Sequence, residues 1–291
     1  MSDPLSLIAE AEKLSKPQTG FFSFLGGSSS TRLEDAMDLY IQAANMYRLQ
    51  KNFSEAGQLF VRAAETQKKL NSHNDVANHL IEAYKCYKTV APHDAIDALS
   101  QAIHIFLTQN GQFRRAANFQ MDLSELYESV GDFEHATENY EKAGDYFSTD
   151  QAEALSCKAF LKAADLYASQ GNYSKAMQLY DSIIQKLAGN NLSRWSLKDY
   201  YFKVVLCALC MEDAVEAQKR LDNYAVEDAS FASTREFKLL QDIATIIDAG
   251  TAEEFADAVY EFDQYSKLDK LKTQMLLNLK NSIIDKGDDL T

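Results

Sequence analysis

The chain contains little proline and little glycine, with three and eleven residues respectively among 291. All-β proteins and linker-rich proteins need more of both, because turns and flexible connections depend on them. No run of about eighteen apolar residues occurs, so we expect no membrane-spanning helix. The N-terminus shows no basic region followed by an apolar one, which predicts that a secretory signal is absent. These deficits favour an all-α protein.

Residues with reactive or metal-binding side chains show no pattern of an enzyme. The five histidines have no metal-type spacing, and no phosphate loop or dinucleotide glycine fingerprint occurs. Cys207 and Cys210 form a single CxxC inside an apolar helical stripe, which indicates core packing. With Cys86 and Cys157 they fall inside predicted helices, which is typical of reduced thiols in the cytosol. We therefore expect no enzyme activity, no cofactor, no metal and no small-molecule substrate.

A forty-residue period is the strongest pattern in the chain, and it is marked by Tyr47, Tyr87, Tyr127 and Tyr167. Three of these tyrosines are followed, five residues later, by Asn or Asp and the string aromatic-x-x-Ala-x-x-x-aromatic, beginning at Asn52, Asp132 and Asn172. The second copy is the poorest, with His93, Ile96 and Ser100 in place of aromatic, Ala and aromatic. A fixed period of this size is typical of stacked helical repeats, which serve as extended binding surfaces.

Each repeat is predicted to be a helical hairpin, because apolar residues recur at spacings of three and four. The Asn or Asp between the two halves suits an N-cap. Helices of about 17 residues should therefore follow one another from roughly 32 to 188. The fold class is all-α, a twisted sheet of antiparallel helical hairpins like tetratricopeptide repeats (TPR). The period is 40 rather than 34, and the Trp-x-x-Leu-Gly signature of that class is absent.

The period stops near residue 190, where Gly189-Asn190-Asn191 suggests a boundary. Helical patterns continue over about 196–211, 213–223 and 234–248. Thr251 and Glu254 form a capping box for the next helix, and the last runs from Leu268 to Ile283, closed by Gly287. We expect three regions: an N-terminal segment 1–31, the array 32–190, and a C-terminal helical bundle 191–291.

The N-terminal segment combines a short helix with an unusual apolar loop. Pro4 suits the first position of that helix, and Thr31 to Glu34 should cap the first array helix. Between them lie four apolar residues bracketed by glycine and serine: Phe21, Phe22, Phe24 and Leu25. They could pack against the array as a staple, but we favour an exposed patch that meets a bilayer or a partner.

Charge is negative overall and unevenly distributed. The net charge is −14, which argues against nucleic-acid binding because a basic footprint is expected there. Residues 224–291 carry 14 acidic and 7 basic side chains. An acidic end of this kind favours a basic partner.

Five segments resemble, in the right order, the alpha-SNAP (soluble NSF attachment protein) family, most closely its fungal members: Gly20–Leu25, Ala43–Tyr47, Gly111–Arg115, Trp195–Tyr200 and Asp288–Leu290. The resemblance implies an adaptor that binds an assembled SNARE four-helix bundle. It further implies that the adaptor recruits and stimulates the hexameric AAA+ ATPase NSF, which disassembles the bundle in vesicle fusion and membrane trafficking. Peripheral attachment through the phenylalanine loop would place it on the cytosolic face of vesicle, Golgi and vacuole membranes.

A SNARE bundle is acidic, so the adaptor needs a local basic stripe. Candidates are Arg114, Arg115, Lys158, Lys162, Arg194, Lys198, Lys203 and Arg235. Lys158 and Lys162 are four residues apart, as are Arg194 and Lys198, so each pair shares a helix face. The resemblance assigns SNARE contact to Lys158, Lys162, Lys198 and Arg235. Other members carry a basic residue at the positions of Gln112 or Asn118, for which Arg114 and Arg115 are candidate substitutes.

The resemblance also assigns ATPase binding and stimulation to the acidic end, here Glu212, Asp248, Glu253, Glu254, Asp257, Asp288, Asp289 and Leu290. Two other functions remain open from the residues alone. A TPR-like scaffold for other clients or chaperones would not need the Phe21–Leu25 loop. A helical-repeat enzyme should show a polar pocket with perturbed carboxylates or histidines.

Overall fold

The computed structural model describes residues 3–16, 29–70, 72–109, 111–188, 194–249 and 251–288. Within these ranges the chain forms fourteen α-helices and no strand, so the predicted all-α, TPR-like class is confirmed. The chain divides into two compact units, Met1–Ser156 and Cys157–Thr291. The division falls inside the predicted array, and the predicted region limits near 31 and 190 stay predictions.

The helices follow one another along the chain, in two units. The first unit contains α1 (Pro4–Ser15), α2 (Ser29–Leu49), α3 (Phe53–Lys68), α4 (His73–Tyr87), α5 (Pro92–Thr108), α6 (Phe113–Ser129) and α7 (Phe133–Thr149). The division lies in α8 (Glu153–Ser169). The second unit continues with α9 (Tyr173–Leu187), α10 (Arg194–Cys210), α11 (Ala214–Glu227), α12 (Arg235–Ala249), α13 (Ala252–Tyr265) and α14 (Lys270–Asp288).

The tyrosine ladder lies at helix C-termini. Three of its carbonyl oxygens accept a hydrogen bond from the backbone N–H five residues later, each at 2.9 Å: Tyr47 from Asn52, Tyr127 from Asp132, and Tyr167 from Asn172. The residue before each donor has a positive φ, 64° at Lys51, 81° at Gly131 and 79° at Gly171. This is the Schellman arrangement, which satisfies carbonyls that a helix end otherwise leaves unpaired. The forty-residue spacing therefore reflects a repeated turn.

The residue whose backbone N–H closes each of these turns is also the N-cap of the next helix. The side chains of Asp132 and Asn172 accept hydrogen bonds from the backbone N–H groups of His135 and Lys175, at 3.2 and 3.4 Å. Those two N-cap predictions are confirmed. Asn52 likewise occupies the N-cap position of α3, but the predicted side-chain contribution is wrong, because this side chain makes no capping hydrogen bond. The Asn52 carbonyl still accepts from the fourth residue on, so the helix starts without the side chain.

Three further predictions concern helix ends. The capping box of α13 is confirmed, with the Glu254 N–H donating to Thr251 Oγ1 at 3.2 Å and the Thr251 N–H donating to Glu254 Oε2 at 2.8 Å. The cap at Thr31 is wrong, because α2 already begins at Ser29. Closure at Gly287 is also wrong, because α14 continues to Asp288. A single glycine costs a helix only about 1 kcal/mol, which does not force an end.

Small residues set the distance between helices in the first unit. Ala43, Ala56 and Ala63 are fully buried, and the aromatic side chain of Phe60 packs among them. Gly57 is the extreme case, because a Cβ built there would lie 2.5 Å from Cε1 of Tyr87. Ser100, which replaces an aromatic residue of the repeat, lines a cavity of about 620 Å³ between α3, α4 and α5. The repeat that departs most from the sequence pattern is thus also bordered by a cavity.

The left-handed turn residues give a first prediction. Lys51 and Gln151 adopt left-handed φ angles of 64° and 58°, and each has a Cβ that makes this conformation unfavourable. Gly131 and Gly171 also have positive φ angles but have no Cβ. The left-handed conformation costs a residue with a Cβ about 1–2 kcal/mol. This exceeds the entropic cost of about 0.4–1 kcal/mol that a glycine adds to folding. Lys51→Gly and Gln151→Gly should each raise the free energy of unfolding in urea by about 0.5 kcal/mol.

Lys51→Ala is the matched control, since it removes the side chain and keeps the Cβ. An equal gain from the alanine variant would contradict the strain explanation.

The Gly57 contact gives a second prediction. Gly57→Ala should lower the free energy of unfolding by about 1–3 kcal/mol, because the added methyl overlaps the Tyr87 ring. In a Tyr87→Leu background the same alanine should cost much less. Urea unfolding of the four proteins in this cycle measures the coupling. Equal costs in both backgrounds would show that the ring moves away freely.

Candidate protein-interaction site

Helix α8 exposes two lysines on one face. Its inner side is formed by Ala159, Phe160 and Ala163, which are buried, whereas Lys158 and Lys162 are exposed. Side chains four residues apart on a helix have Cβ atoms about 6 Å apart, so the two ammonium groups are neighbours. Among the residues described, no carboxylate comes within ion-pair distance of either. We call Lys158 and Lys162 the α8 basic face.

Two further basic candidates border adjoining cavities in the second unit. Lys198 lines a cavity of about 210 Å³ together with Lys267 and Lys272. Arg235 lines one of about 380 Å³, and its guanidinium lies 4.3 Å from the centre of the exposed Tyr265 ring. Both cavities are lined by Phe262. The structure therefore brings Lys198 and Arg235 to neighbouring positions, and the stacked Arg–Tyr pair has the composition of an interface anchor.

The prediction that Lys203 belongs to the basic stripe is wrong. Its side chain is inside the second unit, 5% exposed, with Nζ 2.8 Å from Asp165 Oδ1 and 3.5 Å from Asp199 Oδ2. Burial alone would lower the pKa of this ammonium, but Asp165 and then Asp199 raise it. Lys203 comes five residues after Lys198, which is about 140° around a helix, so the two do not share a face.

The sequence does contain a signal for this burial. Lys203 lies within the segment Tyr201–Leu209. The remaining eight residues of this segment are all apolar, and all nine residues are buried. A helix that is apolar on all sides lies in a core. A lysine inside such a run should therefore be paired internally rather than offered to a partner.

Arg114 and Arg115 do not form a joint patch. Arg114 Nε donates to Asp150, whereas Arg115 Nη2 donates to Asn78 Oδ1 at 2.7 Å. The Arg115 guanidinium also lies 4.2 Å from the centre of the Phe106 ring. Consecutive residues point about 100° apart on a helix, and here each has its own neighbour. Both side chains remain exposed in the first unit.

The acidic candidates differ in what their carboxylates do. Glu253 and Asp257 are exposed on α13 and four residues apart, so they share a face. The Glu254 carboxylate is occupied by the capping box, which gives this residue a structural role. Glu212 is exposed at the turn before α11, where its φ of 59° makes it the left-handed residue.

Several predicted site residues lie outside the part of the chain that the structure describes. They are Phe21, Phe22, Phe24, Leu25, Asp289 and Leu290, together with the side chains of Arg194, Asp248 and Asp288.

The two cysteines of the CxxC are buried or nearly so. Burial raises the pKa of Cys210 to about 12 and shifts the pKa of Cys207 in the same direction. A thiol reacts as its thiolate, so neither group is a nucleophile at neutral pH. In the described ranges, no group of His, Cys, Asp and Glu could hold a metal ion, and no helix has the length and apolarity to cross a bilayer.

Comparison with known proteins shows the family to which the chain belongs. The family model described as "Soluble NSF attachment protein, SNAP" matches residues 2–284. The chain belongs to the soluble NSF attachment protein family. The family resemblance seen in the sequence is thereby confirmed.

Curated members of the family match along the whole chain. The vesicular-fusion protein SEC17 of Komagataella phaffii is 44% identical, covering 99% of this chain and 98% of its own length. The alpha-soluble NSF attachment protein of Saccharomyces cerevisiae is 42% identical over all of both chains. The human alpha-soluble NSF attachment protein is 33% identical over 99% of this chain and 97% of its own.

Among solved structures, a Podospora anserina putative kinesin light chain with TPR-like repeats has a TM-score of 0.42 and 17% identity. The match covers 70% of this chain and 99% of the other.

Proposed function

We propose that this chain is a non-enzymatic adaptor that binds an assembled SNARE four-helix bundle and recruits and stimulates an NSF-type hexameric ATPase. The observation that carries the proposal is membership of the attachment-protein family over nearly the full length. The relatives are named for attachment to NSF and for vesicular fusion. Disassembly of the SNARE bundle is then work done by the ATPase, and the adaptor supplies contacts.

The α8 basic face supports the SNARE contact. The chain is acidic overall, with a net charge of −14, so an acidic bundle is repelled unless it meets local positive charge. Lys158 and Lys162 supply it, since both are exposed and no described carboxylate pairs with them. Arg235 and the partly buried Lys198 provide further positive charge within the same unit. Screened attraction between such surfaces speeds association and sets orientation.

The acidic C-terminal region supports the ATPase contact. Residues 224–291 have 14 acidic and 7 basic side chains, a net charge of −7 and so half of the total of −14. Glu253 and Asp257 present two of these charges on an exposed face of α13. Opposite charge on the ATPase would be steered to this end. In this proposal Asp288, the last residue of α14, and the following Asp289 and Leu290 provide the stimulating contact.

Membrane attachment is assigned to Phe21, Phe22, Phe24 and Leu25. One short apolar loop binds a bilayer weakly, so attachment becomes firm only when the SNARE bundle is itself in that membrane or when several adaptors bind together. The adaptor then acts at the cytosolic face of vesicle, Golgi and vacuole membranes.

One experiment separates this function from the alternatives. Pull-down with pre-assembled and with monomeric SNAREs should retain the chain on the assembled bundle. Addition of the ATPase and ATP should then release the individual SNAREs. A scaffold for other clients would fail the first step, and retention without ATP-dependent release would contradict the adaptor role.

Charge reversal tests the α8 basic face. Lys158→Glu with Lys162→Glu should weaken binding to assembled soluble SNARE bundles about tenfold or more, since each exposed charge pair contributes about 0.2–1 kcal/mol and reversal replaces attraction by repulsion. The salt dependence of binding should also decrease. Isothermal titration calorimetry at a series of salt concentrations measures the affinity and its salt dependence.

The matched control is Lys142→Glu with Lys219→Glu, which changes the net charge equally at exposed sites on α7 and α11. This control should bind nearly as the wild type does. Unchanged affinity of the α8 variant at low salt would place the SNARE contact elsewhere.

Phe21→Ser with Phe22→Ser tests the membrane contact. Each buried phenylalanine contributes about 1.5–3 kcal/mol, so binding to liposomes that carry SNARE bundles should fall strongly. Binding to soluble bundles should stay within a factor of about two, because no bilayer contributes there. A lower melting temperature with unchanged liposome binding would instead indicate that the two rings stabilise the fold.

A further inference from the structure

The start of α14 is held in the second unit by a chain of alternating charges. Lys272 pairs with Asp199 of α10, and its Nζ also lies 3.3 Å from Asp269 Oδ2. Asp199 Oδ2 lies 3.5 Å from Nζ of Lys203, which in turn pairs with Asp165 of α8 at 2.8 Å. We call these five residues the charge chain. It connects the helix of the α8 basic face with the C-terminal helix.

Lys272 has little contact with water. Its side chain is 16% exposed, and Nζ lies 5.3 Å from the centre of the Phe202 ring. A largely buried ammonium is costly unless carboxylates pair with it. Asp199 supplies one of the two carboxylates that pair with Lys272. The ion pair between Lys272 and Asp199 therefore stabilises α14 in the observed position against α10. Sliding α14 by one turn would move its atoms about 5.4 Å and break the pair.

The other contacts of α14 are less directional. Met275, Leu276, Leu279 and Ile283 are buried, and such apolar contacts tolerate small shifts because burial has no preferred angle. Two exposed hydrogen bonds add to them, from Gln274 to the Ser169 carbonyl at 3.2 Å and from Asn278 to the Tyr173 hydroxyl at 3.4 Å. A charge pair has a preferred geometry, and here the ammonium is largely buried while Asp199 is 39% exposed. Such a pair can define one register among several that apolar packing would accept.

We propose that Asp199 and Lys272 are positioning residues for ATPase stimulation, acting by fixing the register of α14 against α10. This inference rests on the proposed function, in which the far end of α14 contacts the ATPase. Neither residue touches a partner in this proposal. Their effect reaches the ATPase through the place and angle at which α14 ends.

Three variants test the inference in the full-length chain. Lys272→Met leaves Asp199 with Lys203 alone, and Asp199→Asn leaves the buried Lys272 with Asp269 alone. Both should lower the melting temperature. The double variant Asp199→Asn/Lys272→Met removes both charges, so its melting temperature should return toward that of the wild type. Lys267→Met is the control, since Lys267 is an exposed lysine close by in the sequence and paired with Asp263.

Disassembly of soluble SNARE bundles by the ATPase is measured against adaptor concentration. For the double variant we expect a maximal rate at least fivefold lower, with the half-saturating adaptor concentration and SNARE affinity unchanged. Lys267→Met should match the wild type. A residue that merely stabilises the fold would not give this split, because the double variant regains stability.

A double variant that disassembles bundles at the wild-type maximal rate would overturn the positioning role. A wild-type chain that binds SNAREs but supports no ATP-dependent disassembly would overturn the proposed function itself. The two failures are distinguishable because the first leaves the wild-type reaction intact.

Discussion

Close approach of helices through alanine is the constraint on which the array depends. Ala43, Ala56 and Ala63 have no exposed surface, and the neighbouring helices can pack there because a methyl group occupies little room. Each close approach leaves space beside it for a large side chain, which Phe60 fills in the first repeat. At Gly57 even the methyl is absent, and the Tyr87 ring takes its place. Where Ser100 replaces the aromatic residue, a cavity remains.

Lysines of the second unit show how packing decides the use of a charge. Lys158 and Lys162 lie on the outer side of α8, where water solvates the ammonium groups and a partner can replace that water. Lys203 lies in the middle of the apolar helix α10, where an ammonium is tolerated only beside carboxylates. The same residue type is therefore exposed to solvent on α8 and paired internally with carboxylates on α10.

Much of this could be predicted from the sequence, since the relevant interactions are local. The forty-residue period follows from a turn that repeats within a few residues of each tyrosine, and the Thr251–Glu254 box spans a single helical turn. The sequence was a poor guide where a weak local signal competes with continued helix formation, and where a side chain pairs with a residue far away in the sequence. Gly287 is weak as a stop signal, and the Lys272–Asp199 pair joins residues 73 apart. The burial of Lys203 was readable from its apolar neighbours, but only if the whole helix was weighed rather than the spacing of charges.

Two members of the charge chain, Asp269 and Lys203, have pKa values shifted away from neutrality. Burial alone would raise the pKa of Asp269, but the backbone N–H and ammonium of Lys272 lower it below the ordinary 3.8, so its contribution to stability is lost only as pH falls through that lower value. Asp165 and Asp199 outweigh burial and raise the pKa of Lys203 above 10.5, so its contribution is lost only as pH rises through that higher value. Both contributions are complete between the ordinary pKa values of 3.8 and 10.5.

A competitor for Asp199 or Lys272 could displace the start of α14 by breaking their ion pair. Salt is a poor competitor, because partly buried pairs are screened far less than exposed charges. The exposed lysines of the α8 basic face have no such protection. Rising ionic strength should consequently release an acidic partner from the α8 basic face while the register of α14 persists.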